Sequence, residues 1–145
     1  MFEVGTILYL SPFYFKNGNT AKNKYFIILK NIDDKTIIAS LPTRKNQLPS
    51  FIATHGCSHD AERCINCYAF EPKKCICENG FAFPIQTFMY GNEVEDYQLD
   101  ILKFNHKVEG VDYEILGTLH KQEYEDILSC LRQSTSLRRG VKKYL

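Results

Sequence analysis

The sequence predicts a mainly β protein, a small barrel of short strands with one α-helix packed on it near the C-terminus. Three observations carry this. Up to His120 the chain falls into short runs rich in aromatic and β-branched residues, broken by Pro, Gly, Asn and Asp. After it the period changes: Tyr124, Ile127, Leu128 and Leu131 recur at i, i+3, i+4 and i+7, a narrow apolar helical stripe. There is no repeat, low-complexity tract or linker, so residues 1–145 read as one domain, large enough to bury about two thirds of its unfolded surface.

The elements follow in order. Glu3 to Leu10 reads as the first strand, and Ser11 to Asn23, with Pro12 and Asn17-Gly18-Asn19, as a turn-rich loop. Lys24 to Ile32 is the second strand. Asp33-Asp34 turns it into Lys35 to Leu41, a hairpin. Shorter strands are expected at Phe51 to Thr54, Cys67 to Phe70, Lys74 to Cys77, Gln98 to Phe104 and Val111 to Leu116. His120 stands where a helix cap belongs, with Glu123 three residues on, and His106 reads as a hairpin-turn residue. A Ser-Thr-Ser break at 134–136 precedes a basic tail carrying Arg138, Arg139, Lys142 and Lys143.

Composition narrows the class. Hydrophobic residues at 44% and charged ones at 24% are ordinary for a soluble globular chain. A net charge of +1 favours no particular partner, so only a local patch would. No apolar run approaches the roughly 20 residues that span a bilayer, and Met1-Phe2-Glu3-Val4-Gly5 does not open a signal peptide. The expectation is a cytoplasmic protein whose six cysteines are reduced.

Three groups of residues carry potential chemistry. The hairpin of the second and third strands brings Lys24 near the end of the third, so Lys24, Thr43 and Arg44 share one mouth of the sheet, with Lys22 and Lys45 beside it. Cations beside a hydroxyl suit a phosphodiester, because they offset charge growing on its non-bridging oxygens. The plainer reading is that lysines before strands solvate edges and discourage pairing between sheets. The second group is the cysteines. Cys64-x2-Cys67 followed by Cys75-x-Cys77 offers four thiolates to a tetrahedral zinc, yet the spacing departs from paired knuckles about 15–20 residues apart. Reduced cysteines in strands also serve as small buried hydrophobes, and Cys75 and Cys77 should then share one face. Third, His55 and His59 could supply a neutral imidazole base near Lys24. Neither a Ser-His-Asp order nor a glycine-rich phosphate loop is present.

Against this background, "VGTILYLSPFYFKNGNTAKNKYFIILKN" resembles the opening of MazF/PemK-like proteins, toxins of bacterial toxin–antitoxin pairs. "IIASLPTRKNQLP" is similar to their next strand and Pro–Thr loop, and "ILGTLHKQEYEDILSCLRQS" to their last strand and helix. The likeness covers both ends of the chain; 52–95 is a longer, cysteine-rich connection. The resemblance implies an SH3-like barrel, usually dimeric, that cleaves single-stranded RNA without a metal or other cofactor and is held by a cognate antitoxin. The family's catalytic arginine and threonine fall on Lys24 and Thr43, with Arg44 adjacent. Lys22 and Lys45 would hold flanking phosphates, and Tyr14 and Phe15 would stack on bases. Lysine in place of arginine keeps the charge and loses the bidentate fork, and Tyr25 replaces the family's proline. Two alternatives stand beside this reading: an inactive barrel that binds protein or nucleic acid in such a system, and a zinc-stabilised interaction domain.

Overall fold

The computed structural model describes residues 3–13, 18, 22–41, 54–60, 62 and 65–145. Eight strands and three α-helices lie in these residues: β1 (Thr6–Phe13), β2 (Lys22–Ile32), β3 (Lys35–Leu41), β4 (Gly56–Asp60), β5 (Ile65–Phe70), β6 (Thr87–Tyr90), β7 (Val94–Gln98), α1 (Leu99–Asn105), β8 (Tyr113–Thr118), α2 (Lys121–Arg132) and α3 (Arg139–Lys142). They form a five-stranded sheet in the order β7-β3-β2-β1-β8 and a three-stranded sheet β4-β5-β6, with all strand pairs antiparallel. Among the described residues the larger sheet is open, with β7 and β8 at its edges.

β2 explains the architecture. Its run Phe26-Ile27-Ile28-Leu29 is fully buried, which requires cover on both faces of the sheet. On one face Ile27 and Leu29 join the larger core with Tyr68 and Phe70 of β5 and Ile127 and Leu131 of α2. On the other, Phe26 and Ile28 pack with Leu8, Leu10, Tyr97 and Leu102, the last from α1. Each such side chain contributes about 1.5–3 kcal/mol by leaving water. The β2–β3 hairpin turns at Asp33-Asp34, where Asp33 takes a positive φ of 53° that an Asp tolerates in a tight turn.

Several expectations are corrected. Gln98 to Phe104 is not a strand: β7 ends at Gln98 and α1 follows, burying Leu102 and leaving Ile101 and Phe104 exposed. Lys74 to Cys77 makes only an isolated bridge, Cys77 to Leu119, so Cys75 and Cys77 share no strand face; Cys75 is exposed and Cys77 buried. His106 is not in a hairpin turn. It closes α1 and is buried, with Nδ1 3.0 Å from the Leu102 carbonyl and Nε2 3.2 Å from that of Pro12, tying the helix to the end of β1. His120 does occupy the N-cap of α2, without a side-chain capping bond. The expected strand at Phe51 to Thr54 lies outside the described residues except for Thr54, which is in a bend. The sequence reading also missed β4, β6 and β7.

Close approach fixes how the C-terminal segment sits. A Cβ on Gly91 would come within 2.5 Å of the Ser134 Oγ and 2.8 Å of the Ser136 Oγ, so glycine lets the α2–α3 link lie against the turn before β7 without displacing these hydroxyls. Among the described residues no helix is long and apolar enough to cross a membrane.

Candidate functional site

Lys24 sits in β2, half-buried, opposite Leu10 of β1. The next residue, Tyr25, pairs with Leu41, the last residue of β3. The described part of β3 therefore ends at Leu41, one pair along the sheet from Lys24. Alternation puts Lys24 on the face of Phe26 and Ile28, at the rim of the smaller core, and turns Tyr25 to the opposite face. Thr43, Arg44, Lys45, Tyr14 and Phe15 lie outside the described residues, and of Lys22 only the backbone, paired with Phe13, is described.

Beside Lys24 the structure adds groups that the sequence reading did not select. Tyr25, Tyr9 and Glu114 stand in register across β2, β1 and β8. The Tyr9 and Tyr25 rings lie 4.9 Å apart, and Phe83 meets Tyr25 edge-on at 5.4 Å. Burial, then Tyr9 and Glu114, push the Tyr25 phenol up, so it stays protonated at neutral pH. A cleft of about 170 Å³ follows this row, lined by Tyr9, Ser11, Gly110, Val111, Tyr113 and Glu114. Phenol faces for stacking, with a hydroxyl and a carboxylate for hydrogen bonds, suit the edge of an unpaired base. Tyr9, set between the apolar Leu8 and Leu10, was the available sequence signal.

A second constellation joins the three-stranded sheet to α2. The Glu71 N–H donates to His55 Nδ1 at 3.1 Å, so the ring proton is on Nε2, which donates to Glu123 Oε2 at 2.8 Å. The Tyr68 hydroxyl donates to the same oxygen. Burial first, then this bond and the carboxylate charge, push the Tyr68 phenol strongly up. Both nitrogens of His55 are thus committed, and the imidazole is not placed to take a substrate proton. The network lines a cleft of about 450 Å³ with Lys74, Asp126, Ser129 and a disulfide.

That disulfide corrects the expectation of six reduced thiols. Cys57 of β4 is bonded to Cys130 of α2, 73 residues away in sequence. Cys67, Cys75 and Cys77 are free thiols, and Cys64 lies outside the described residues. Burial, then the neighbouring Cys75, Glu123 and Glu78, push Cys77 up to about 12. Cys75 Sγ lies 3.8 Å from His120 Nε2. Among the described residues no three His, Cys, Asp or Glu side chains converge as a metal site. His59 is exposed, 3.3 Å from the Asn66 amide, and neither it nor His55 meets Lys24.

No protein-family model matches this chain, and no curated protein matches it significantly. The likeness to MazF/PemK-like proteins rests on the short motifs quoted above.

Proposed function

We propose that this protein is a MazF/PemK-like endoribonuclease that cleaves single-stranded RNA without a metal, as the toxin of a toxin–antitoxin or phage-defence system. The observation that supports this reading is the β2–β3 register: Tyr25, next to Lys24, pairs with Leu41, and Pro42-Thr43-Arg44 follow Leu41 in the sequence. In this reading the ribose 2′-hydroxyl gives its proton to water as its oxygen attacks phosphorus, the P–O5′ bond breaks, and the 5′-oxygen takes a proton from water and leaves as a hydroxyl. The products carry a 2′,3′-cyclic phosphate and a 5′-hydroxyl. The Lys24 ammonium offsets charge on the non-bridging oxygens, the Thr43 hydroxyl donates to one of them, and Arg44 supplies the fork that Lys24 lacks. Lys22 and Lys45 hold flanking phosphates. Tyr14 and Phe15 stack on bases, with the Tyr9–Tyr113 cleft as a further base pocket. An SH3-like closure of the five-stranded sheet, a homodimer, a cognate antitoxin and a cytoplasmic setting belong to the same reading.

The test is direct. In EDTA the wild type should cut a long single-stranded RNA to fragments with cyclic phosphate ends, and Lys24→Ala and Thr43→Ala should each cut at least about 100-fold more slowly. Uncut RNA with the wild type, or equal cutting by both variants, overturns the proposal.

One observation favours a second reading, a non-catalytic binding module. Tyr25, where the family has proline, is locked against Tyr9 and Phe83, which makes this strand end a packed aromatic surface. Calorimetry against RNA showing affinity without products would select it.

A further inference from the structure

Charge is divided unevenly along the chain. Residues 132–145 hold five cations, Arg132, Arg138, Arg139, Lys142 and Lys143, and no Asp or Glu. The segment thus carries +5 in a protein of net charge +1, which leaves thirteen cations against seventeen anions, or −4, in the rest.

The segment is also held in place. Leu137 and Val141 are 5% and 2% exposed and belong to the larger core. Lys142 Nζ donates to the Ser134 carbonyl at 3.0 Å, and Arg132 Nε to the Leu145 carbonyl at 2.7 Å. Arg138 Nη2 meets Glu95 Oε1 of β7 at 2.8 Å, while Arg138, Arg139 and Lys143 remain exposed. The Lys143 ammonium lies 4.9 Å from the centre of the half-buried Tyr144 ring. The cations therefore stand on an ordered support.

Topology aligns this surface with the Lys24 end. Glu95 pairs with Ile38, and Ile38 with Ile28. Lys24 is four residues along β2 from Ile28 and two strand spacings from β7, on the order of 15 Å from Glu95. A few nucleotides of extended strand cover that distance.

We propose that residues 132–145 form a docking surface for the phosphate backbone of single-stranded nucleic acid, continuing from the Lys24 end of the five-stranded sheet. The ligand's identity rests on the RNA reading above; the surface itself is independent of catalysis at Lys24. Its chemistry fits phosphate better than an acidic protein. A protein partner needs an apolar centre to bury, and none of the exposed large apolar side chains of the described residues falls here. Guanidinium and ammonium groups among Gln133, Thr135 and Ser136 hydroxyls and amides are what a sugar–phosphate chain engages.

The experiment is fluorescence anisotropy with a labelled 2′-O-methyl RNA oligonucleotide, which lacks the 2′-nucleophile, between about 50 and 200 mM NaCl. The full chain is compared with Lys24→Ala, with Arg138→Gln/Arg139→Gln/Lys142→Gln/Lys143→Gln, and with Arg139→Gln/Lys143→Gln, whose sites are exposed and spare the fold. The fourfold variant should bind about tenfold or more weakly, its plot of log Kd against log salt shallower by about 3; the double variant should lose about half that slope. Unchanged affinity and slope in the folded double variant, or no binding by the wild type, overturns the proposal. So does poly-glutamate competing as well as RNA, which would assign the surface to an acidic polypeptide. Loss of cutting in Lys24→Ala with undiminished binding in both charge variants refutes the surface and spares the nuclease. Loss of binding in the charge variants of a protein that cuts nothing does the reverse.

Discussion

The Lys24 end of the five-stranded sheet and the His55 cleft beneath α2 both gather polar side chains around tyrosines, and they differ in how those groups are engaged. In the cleft, His55 uses both ring nitrogens, and Glu123 receives His55 and Tyr68 on one oxygen. The disulfide from Cys57 to Cys130 fastens the same two walls. At the Lys24 end, a half-buried cation lies one pair from Leu41, and a cleft with phenol, hydroxyl and carboxylate on its walls runs along the neighbouring β1 and β8. The difference teaches that the more enzyme-like trio, His, Glu and Tyr, serves as architecture. Its donors and acceptors are matched to one another, so the trio braces β5 against α2.

This contrast can be broken by experiment. The largest expected effect is on the disulfide. Opening a loop of 73 residues' separation, by dithiothreitol or by Cys57→Ser with Cys130→Ser, should lower stability by about 4 kcal/mol in a chain-entropy account. Thermal melts with and without reductant measure it, and unchanged melting would show that the clamp adds nothing. Next is Glu123→Ala, which strands the His55 and Tyr68 donors and should cost about 3 kcal/mol in urea unfolding. A loss below about 0.5 kcal/mol would return this trio to the list of functional candidates.

Smaller is an alkaline effect. The Cys77 thiol is pushed from 9.0 to about 12 in the folded protein, so above pH 9 the unfolded chain ionises first. Its contribution is complete below pH 9 and is lost as pH rises to about 12. Urea midpoints across that window should fall more steeply for the wild type than for Cys77→Ala, and parallel curves would contradict it. The smallest effect is Lys24→Ala on stability, about 1 kcal/mol, the typical loss at a half-buried position. A large loss would make Lys24 a structural residue and weaken its proposed role on phosphate.

The hairpin and the last helix were legible because their signals are local. The alternation and turn of β2–β3 and the four-residue stripe of α2 need no distant partner to be read. α1 was misread because Leu99-Asp100-Ile101-Leu102-Lys103-Phe104 is a short apolar run, which a strand and a one-sided helix share. β4, with the sequence Gly56-Cys57-Ser58-His59-Asp60, has no apolar alternation; only its pairing with β5 makes it a strand. The Cys57–Cys130 bond was out of reach for a related reason, since spacing does not specify which cysteines pair. At the candidate site Lys24 was legible as a charge just ahead of the buried run, although β2 begins two residues earlier, at Lys22. The Tyr25–Tyr9–Glu114 row required the register of three strands.

The outer strand β8 bears on how copies of this protein can meet. The Thr118 carbonyl accepts from the Glu78 N–H, the Leu116 carbonyl from the Asn79 side-chain amide, and the Tyr113 carbonyl from the Gly110 N–H. Asn79 reaches that position because residue 117 is glycine; a Cβ there would meet the Asn79 Oδ1 at 2.5 Å. An incoming strand from another molecule would have to compete for these carbonyls across a six-residue strand. An edge open to strand-by-strand polymerisation is thus guarded by three local donors and one missing methyl group. A proposed dimer is better sought through side chains than through a continuous sheet.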